Sequence, residues 1–157
     1  MKTNTNETAT GQAEKSGHAR LNPASVTAFA GRPNPAPENP VLASTKDVID
    51  HHLKSFGDRD LEGILSDYSP GAVLFAANGP LKGVVALRPM FQAMIAEFSK
   101  PGAAFHLQQQ FIDGDHGYIL WNAETADNVY ELGTDTFVVK NGKIVAQSFT
   151  GQITPKG

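Results

Sequence analysis

The feature that most constrains this fold is an Asn-Gly dipeptide between two β-rich runs near the C-terminus. Asn141-Gly142 predicts a two-residue type I′ turn, because both central residues of that turn need positive φ angles. The turn fixes a hairpin register that pairs Val139 with Ile144, Phe137 with Ala146 and Asp135 with Ser148. Asp135 is thereby placed on the apolar face, where a lone charged carboxylate would be very costly to bury. We expect this carboxyl to be neutral, hydrogen-bonded or beside a cavity.

Upstream of the hairpin, hydrophobic periodicity predicts three helices and a series of strands. The helices are expected at about 45–56, capped by Ser44 or Thr45, at 61–68, capped by Asp60, and at 84–98, with Pro89 inside. The strands are expected at about 72–77, 104–112, 116–124, 129–140 and 143–152. Helices followed by an antiparallel meander predict an α+β fold, in which the helices pack on one face of a curved sheet.

The first 40 residues differ in composition from the rest of the chain. They are rich in Asn, Thr, Ala, Gly and Pro, and such a segment cannot bury enough apolar surface to offset its ordering entropy. We therefore expect residues 1–40 to be a flexible arm or tail and residues 41–154 to form one domain.

Composition narrows the classes of function. The chain has no cysteine, which excludes disulfides, thiolate nucleophiles and cysteine-ligated zinc. Its net charge of −3 offers no basic surface for nucleic acid or anionic membrane. No apolar run approaches the roughly 20 residues of a membrane span, and no signal-peptide core is visible. A cytoplasmic protein that binds neither nucleic acid nor membrane is the default expectation.

Three segments resemble the nuclear-transport-factor-2-like superfamily, which includes ketosteroid isomerases and SnoaL-type polyketide cyclases. They are Gly57-Asp58-Arg59-Asp60-Leu61-Glu62-Gly63-Ile64, the strand Ala72–Ala77, and Thr134–Phe137 with Asn141–Val145. The resemblance covers about residues 43–152. It implies a cone-shaped, cystatin-like α+β domain with an apolar pocket between three N-terminal helices and a mainly antiparallel sheet. It also implies a homodimer.

The resemblance suggests roles for three positions. Aligned through residues 60–64, His52 matches the oxyanion-hole tyrosine of the ketosteroid isomerases, and Asp135 matches their second oxyanion donor, an aspartic acid kept protonated by its apolar site. The position of the isomerase general base is Ala76, which cannot accept a proton. Steroid isomerisation by that mechanism is therefore disfavoured, whereas SnoaL-type cyclases need a single acid–base aspartate.

His52 and Asp135 are the candidate catalytic residues, because an imidazole and a carboxyl in one apolar pocket can perform general acid–base chemistry. The expected function is a cofactor-free isomerase, cyclase or dehydratase that acts on a small hydrophobic carbonyl compound. The alternative is a non-catalytic module of the same fold that binds a small molecule or only forms a dimer. In that case His52 is a hydrogen-bonded core residue and Asp135 a structural acceptor. A cavity of about 300 Å³ or more beside Asp135 would favour enzyme or binder.

Eight other side chains are candidates for the pocket wall: Phe56, Tyr68, Phe75, Phe91, Met94, Trp121, Phe137 and Ser148. The direction of Trp121 stays open, since a bulge at Gly133 would change which face it occupies. The hairpin register turns Gln147 away from Asp135.

The reactions of other members of this superfamily, and metal binding, fit the sequence less well. Limonene-epoxide hydrolases need an arginine in the sheet, and Arg20, Arg32, Arg59 and Arg88 all lie outside the predicted strands. Scytalone dehydratases need a second pocket histidine, and His106 is expected to be exposed at a strand start. Adjacent His51 and His52 point about 100° apart on a helix, so no metal site is expected there.

Overall fold

The structure, a computed structural model, describes residues 41–157, which form three helices and one six-stranded sheet. The helices are α1 (Thr45–Gly57), α2 (Leu61–Ser66) and α3 (Gly83–Phe98). The strands are β1 (Tyr68–Ala76), β2 (Gly79–Lys82), β3 (Ala104–Asp113), β4 (His116–Glu124), β5 (Asn128–Lys140) and β6 (Lys143–Pro155). The predicted arm, residues 1–40, lies outside the described residues.

The sheet is curved and mixed, with the strand order β2-β1-β6-β5-β4-β3. Strands β3 to β6 form the predicted antiparallel meander. Strand β1 pairs in parallel with β6 and antiparallel with the short strand β2. Strand β2 was not predicted, because Asn78-Gly79-Pro80 is typical of the end of a strand and gives no sign of the four-residue strand that begins at Gly79.

Local signals correctly predict where the first two helices begin. Ser44 and Asp47 form a reciprocal capping box at the start of α1, and the side chain of Asp60 accepts a hydrogen bond from the N–H of Gly63 at the start of α2. Helix α2 ends at Ser66, so Tyr68 begins β1 and does not close the helix as predicted. None of the helices among residues 41–157 is long and apolar enough to cross a membrane.

The Asn141-Gly142 turn is confirmed, with φ angles of 51° and 70° at its two central residues. Val139 pairs with Ile144 as predicted. Beyond that pair, one extra residue in β6 shifts the register, so that Phe137 faces Gln147 and Asp135 faces Phe149. The predicted pairs Phe137–Ala146 and Asp135–Ser148 are therefore wrong.

The core lies between the helices and one face of the sheet. Helix α1 contributes Val48, Ile49 and His52, which recur at helical spacing and are buried. On the sheet, alternate residues of β5 are buried, and these include Asp135, Phe137 and Val139. Asp135 therefore lies on the inward face even though its cross-strand partner differs from the predicted one.

Candidate functional site

Asp135 is 7% exposed, and both of its carboxyl oxygens accept hydrogen bonds from side chains. The indole Nε1 of Trp121 donates to Oδ2 at 2.8 Å. The amide Nε2 of Gln147 donates to Oδ1, also at 2.8 Å. Strands β4 and β6 flank β5 in the sheet, so one donor approaches the carboxyl from each side.

Gln147 is held in turn by Tyr68, whose buried hydroxyl donates a hydrogen bond to Oε1 of the amide. This bond fixes the orientation of the amide, because Oε1 is occupied and only Nε2 remains to face Asp135. The prediction that Gln147 points away from Asp135 is wrong, since the extra residue in β6 turns its side chain inward.

Burial raises the pKa of Asp135 above the usual range of an aspartate. The hydrogen bonds from Trp121 and Gln147 and the proximity of His52 lower the pKa, but they only partly offset burial. Burial also raises the pKa of Tyr68, with Asp135 and Asp67 adding to the effect. Tyr68 therefore stays a neutral donor at physiological pH.

His52 is buried in α1, and three aromatic rings surround its imidazole at edge-to-face angles. The ring centroids of Tyr68, Phe91 and Phe137 lie 5.5, 5.6 and 5.8 Å from that of His52. Its Nδ1 lies 3.5 Å from Oδ2 of Asp67. The neighbouring His51 is more exposed, and its Nδ1 lies 2.7 Å from Oδ1 of the same carboxyl.

A cavity of about 60 Å³ lies between the helices and the sheet, beside Asp135 and His52. It has room for a few water molecules or one small functional group. Apart from Asp135, His52 and Gln147, its wall is apolar and consists of Leu53, Phe56, Leu74, Met90, Phe91, Met94, Phe98, Phe105, Ile119, Trp121, Phe137 and Phe149. The volume is well below the 300 Å³ that the sequence analysis set for a ligand pocket.

The structure brings together seven of the ten predicted site residues along this cavity: Asp135, His52, Phe56, Phe91, Met94, Trp121 and Phe137. Tyr68 does not line the cavity, but it contacts two residues that do, through its hydrogen bond to Gln147 and its ring contact with His52. Phe75 does not line the cavity, because its neighbour Leu74 points inward and leaves Phe75 52% exposed on the other face. Ser148 likewise lies outside the cavity after the register shift, with Gln147 and Phe149 as the lining residues.

The direction of Trp121, which the sequence left open, is inward. The indole is 3% exposed and stacks on Phe149, with centroids 5.8 Å apart and planes inclined by 14°. It also covers Gly133, where an added Cβ would lie 2.4 Å from Cε2 of the indole. Glycine is therefore required at this position of β5 for the indole to reach Asp135.

A second concavity of about 200 Å³ lies next to the first and opens beside Arg59 and Ala103. The two share Leu53, Phe56, Phe98 and Phe105, which together form the partition between them. A ligand that occupied both concavities would need these side chains to move. The flexible side chains of Met90 and Met94 on the wall are suited to such repacking.

Comparison with known proteins identifies the family. The family model of the SnoaL-like domain matches residues 49–147, which is more than half of the chain. The chain belongs to the SnoaL-like domain family. No curated protein matches this SnoaL-like protein at a significant level.

Solved structures similar to this SnoaL-like domain share its fold at low sequence identity. A nuclear-transport-factor-2-like protein of unknown function from Mesorhizobium loti is 22% identical, with a TM-score of 0.60 over 69% of this chain and 90% of that chain. A predicted polyketide cyclase from Sinorhizobium meliloti is 18% identical, with a TM-score of 0.56 over 66% of this chain and 94% of that chain. An epoxide hydrolase/cyclase-like enzyme with a role in pyran ring formation in the polyether salinomycin is 14% identical, with a TM-score of 0.61 over 71% and 95%.

Sequence reasoning missed two polar residues of this SnoaL-like domain. Asp67 lies at the end of α2, where a polar residue before a strand usually indicates a solvated turn. Gln147 was assigned to the wrong face. The signal that could have revealed Gln147 is its place in an otherwise apolar run, Ile144-Val145-Ala146-Gln147, which a bulge would turn inward.

Proposed function

We propose that this SnoaL-like domain is a cofactor-free acid–base enzyme, an isomerase, cyclase or dehydratase acting on a small hydrophobic carbonyl compound. The observation that carries the proposal is the environment of Asp135. Its carboxyl is buried beside an apolar cavity, its pKa is raised by burial, and two N–H donors fix its orientation. A carboxyl with a raised pKa is a stronger base when ionised and can return the proton as an acid.

In the proposed reaction, Asp135 removes a proton from the carbon next to the carbonyl. Each of its oxygens has accepted one hydrogen bond and retains a lone pair for that proton. The electron pair of the broken C–H bond moves toward the carbonyl oxygen, which gives an enolate. Asp135 then returns the proton to another carbon in an isomerisation. In a cyclisation the enolate carbon attacks a second carbonyl carbon of the same molecule. The π electron pair of that carbonyl moves to its oxygen, which then takes the proton held by Asp135.

His52 is the second group of the proposed mechanism, and it exchanges a proton with the substrate oxygen. As an imidazolium it protonates the enolate oxygen, or the leaving hydroxyl of a dehydration, which departs as water. As a neutral imidazole it takes the proton back from the enol. Its place among Tyr68, Phe91 and Phe137 keeps bulk water away from this step.

The size of the cavity limits the substrate. The cavity of about 60 Å³ accommodates a carbonyl group and its neighbouring atoms. The rest of the substrate would extend past the partition into the second concavity of about 200 Å³. Phenylalanine and methionine side chains dominate this path, which favours an aromatic or alicyclic body over a polar one. The cyclase-like structural neighbours support the same class of reaction.

The small volume also supports a second candidate, a non-catalytic module whose aromatic side chains largely fill the pocket. In that case Asp135 would be a structural acceptor that joins β4, β5 and β6 through Trp121 and Gln147. The two candidates differ in one observable: only an enzyme with Asp135 as base removes a proton from a bound carbonyl compound.

Proton exchange tests the proposal without knowledge of the natural substrate. Small aromatic and alicyclic ketones would be incubated with the protein in deuterated water, and deuterium at the α-carbon followed by NMR. Wild type is expected to accelerate exchange, and Asp135→Asn to lower the rate by about 10²–10⁴-fold. Asp115→Asn, at a half-exposed carboxylate paired with Lys140, is the matched control and should exchange like wild type. Equal rates for wild type and Asp135→Asn would rule out Asp135 as the base, and ketone binding without exchange would support the second candidate.

A further inference from the structure

Asp67 lies at the junction of α2 and β1 and contacts both histidines of α1. Its side chain is buried, and its two oxygens are divided between the histidines. Oδ1 lies 2.7 Å from Nδ1 of His51, and Oδ2 lies 3.5 Å from Nδ1 of His52. The catalytic steps proposed above make no use of this carboxyl.

The backbone of Asp67 is held from two sides. Its N–H donates to the carbonyl of Ile64 at 3.2 Å, which closes α2. Its carbonyl accepts from the N–H of Ile144 at 2.7 Å, at the start of β6. Lys143 adds a hydrogen bond to the carbonyl of Ser66 at 2.6 Å. The carboxyl therefore projects from a fixed point toward α1.

Two buried polar atoms at this junction make no hydrogen bond to any of residues 41–157. They are Nδ1 of His52 and Oδ2 of Asp67, the same two atoms that face each other at 3.5 Å. Leaving a buried donor or acceptor unpaired destabilises the fold, so the physical expectation is that these two atoms share a proton. A carboxylate can only accept, which requires the proton to be on Nδ1 of His52.

We propose that Asp67 is a positioning residue that holds His52 with a proton on Nδ1 and so directs Nε2 to the cavity. The inference rests on the proposed function, in which His52 exchanges a proton with the substrate oxygen. His51 occupies the other oxygen of Asp67 and limits rotation of the carboxyl. The neutral tautomer with its proton on Nε2 is disfavoured, because it would place two acceptors face to face. His52 therefore accepts and donates at Nε2 alone.

Histidine tautomers can be observed directly, independently of activity. In protein labelled with ¹⁵N-histidine, two-bond ¹H–¹⁵N correlations show which ring nitrogen carries the proton, and His52→Gln assigns the signals. In its neutral form, His52 of the wild type is expected to be the Nδ1–H tautomer. An Nε2–H tautomer in wild type would overturn the proposal, whatever the stability of any variant.

Variants then test whether Asp67 determines the tautomer of His52. Asp67→Leu is expected to convert His52 mainly to the Nε2–H tautomer, because leucine is similar in size but offers no acceptor to Nδ1. Asp58→Asn, an exposed aspartate just after α1, makes the same change of charge and should leave His52 unaltered. Retention of the Nδ1–H tautomer in Asp67→Leu, or an equal change in Asp58→Asn, would contradict the role of Asp67.

The ketone exchange assay separates this inference from the proposed function. Asp67→Leu is expected to slow exchange by about tenfold or more with little change in KM, since Asp67 does not line the cavity. A tautomer change without any loss of exchange would contradict a positioning role in catalysis. If Asp135→Asn exchanges like wild type, the proposed function fails, while the tautomer spectra still decide whether Asp67 orients His52.

Discussion

At Asp135, burial and hydrogen bonding act on one proton in opposite directions. Burial favours the neutral carboxyl, whereas the donors Trp121 and Gln147 favour the carboxylate. Burial is the larger influence, so the pKa is raised. The same balance that suits this group to exchange a proton also makes its ionisation costly to the folded protein.

That cost gives Asp135→Asn a pH-dependent effect on stability. Because the pKa of Asp135 is raised on folding, the folded protein keeps this proton at pH values where the unfolded chain has lost it. The proton on Asp135 stabilises the folded protein fully below the pKa of an aspartate in the unfolded chain, about 3.9. This contribution to stability is lost as the pH rises through the higher pKa of Asp135 in the folded protein. Relative to wild type, Asp135→Asn should therefore gain stability from pH about 4 toward neutral pH. Urea unfolding at a series of pH values, followed by the fluorescence of Trp121, measures the difference.

Asp115→Asn provides the control of opposite sign. The hydrogen bond with Lys140 lowers the pKa of Asp115. The small contribution of the ionised Asp115 to the stability of the fold is therefore present above the pKa of an aspartate in the unfolded chain and is lost in acid. Relative to wild type, this variant should become slightly less stable as pH rises. A stability difference for Asp135→Asn that does not vary with pH would contradict a raised pKa.

Trp121→Phe tests the opposing influence on the same carboxyl. Phenylalanine keeps an aromatic ring in the cavity but cannot donate to Oδ2, so the pKa of Asp135 should rise further. A ¹³C NMR titration of the aspartate carboxyl signals measures the change. Phe149→Leu, which removes the ring stacked on Trp121 and leaves the hydrogen bond in place, should shift the pKa less. An unchanged or lower pKa in Trp121→Phe would show that the indole N–H does not stabilise the carboxylate.

Among the secondary-structure elements, β5 is the strand whose packing controls the site. Its buried face presents Gly133, Asp135 and Phe137 in turn. The missing side chain at Gly133 lets the indole of Trp121 lie across β5 and reach the carboxyl two residues away. Strand packing and the geometry of the site are therefore coupled at one residue.

Gly133→Ala should disturb this coupling. The new Cβ would lie 2.4 Å from the indole of Trp121, so the indole must shift. Overpacking of this kind lowers the free energy of unfolding by about 1–3 kcal/mol. The substitution should also weaken the hydrogen bond from Trp121 to Asp135 and shift the emission maximum of Trp121. Gly71→Ala in β1 is the matched control, because its Cβ meets no atom within 4 Å. Similar unfolding midpoints and indole spectra for the two variants would contradict the close approach.

The same elements show how far sequence reasoning reaches. Caps and turn residues predicted α1, β4 and the Asn141-Gly142 turn to within about one residue, because these signals act over three or four residues of the chain. The predicted hairpin register placed Asp135 inward and helical periodicity placed His52 inward, whereas Trp121 was a candidate without a direction. The extra residue in β6 was not predicted, since a bulge depends on contacts between strands, and it exchanged Ser148 for Gln147 in the site. Asp67 was missed because its role depends on the docking of α1 against the α2–β1 junction.

At the scale of the whole domain, the two faces of the sheet differ. One face packs against the helices and contains the cavity, while the other carries large apolar side chains that the described residues leave open. Phe111 in β3 is 60% exposed and stacks on Tyr118, with ring centroids 6.4 Å apart. Its neighbour Gln110 bonds to Asp50 of α1, so Phe111 points to the opposite face. Phe75 is exposed on the same outward side, because its neighbour Leu74 lines the cavity.

We expect this outward face to be the interface of a homodimer, because exposed aromatic residues on a sheet surface are typical of protein interfaces. Phe111→Glu should then raise the dissociation constant of the dimer by about tenfold or more, which corresponds to roughly 1.4 kcal/mol or more. Sedimentation velocity over a range of protein concentrations measures the change. Val85→Glu in α3 is the matched control, since Val85 is 88% exposed and lies on a helix outside the sheet. A wild type that stays monomeric at high concentration, or an equal weakening by Val85→Glu, would show that the outward face does not form the dimer.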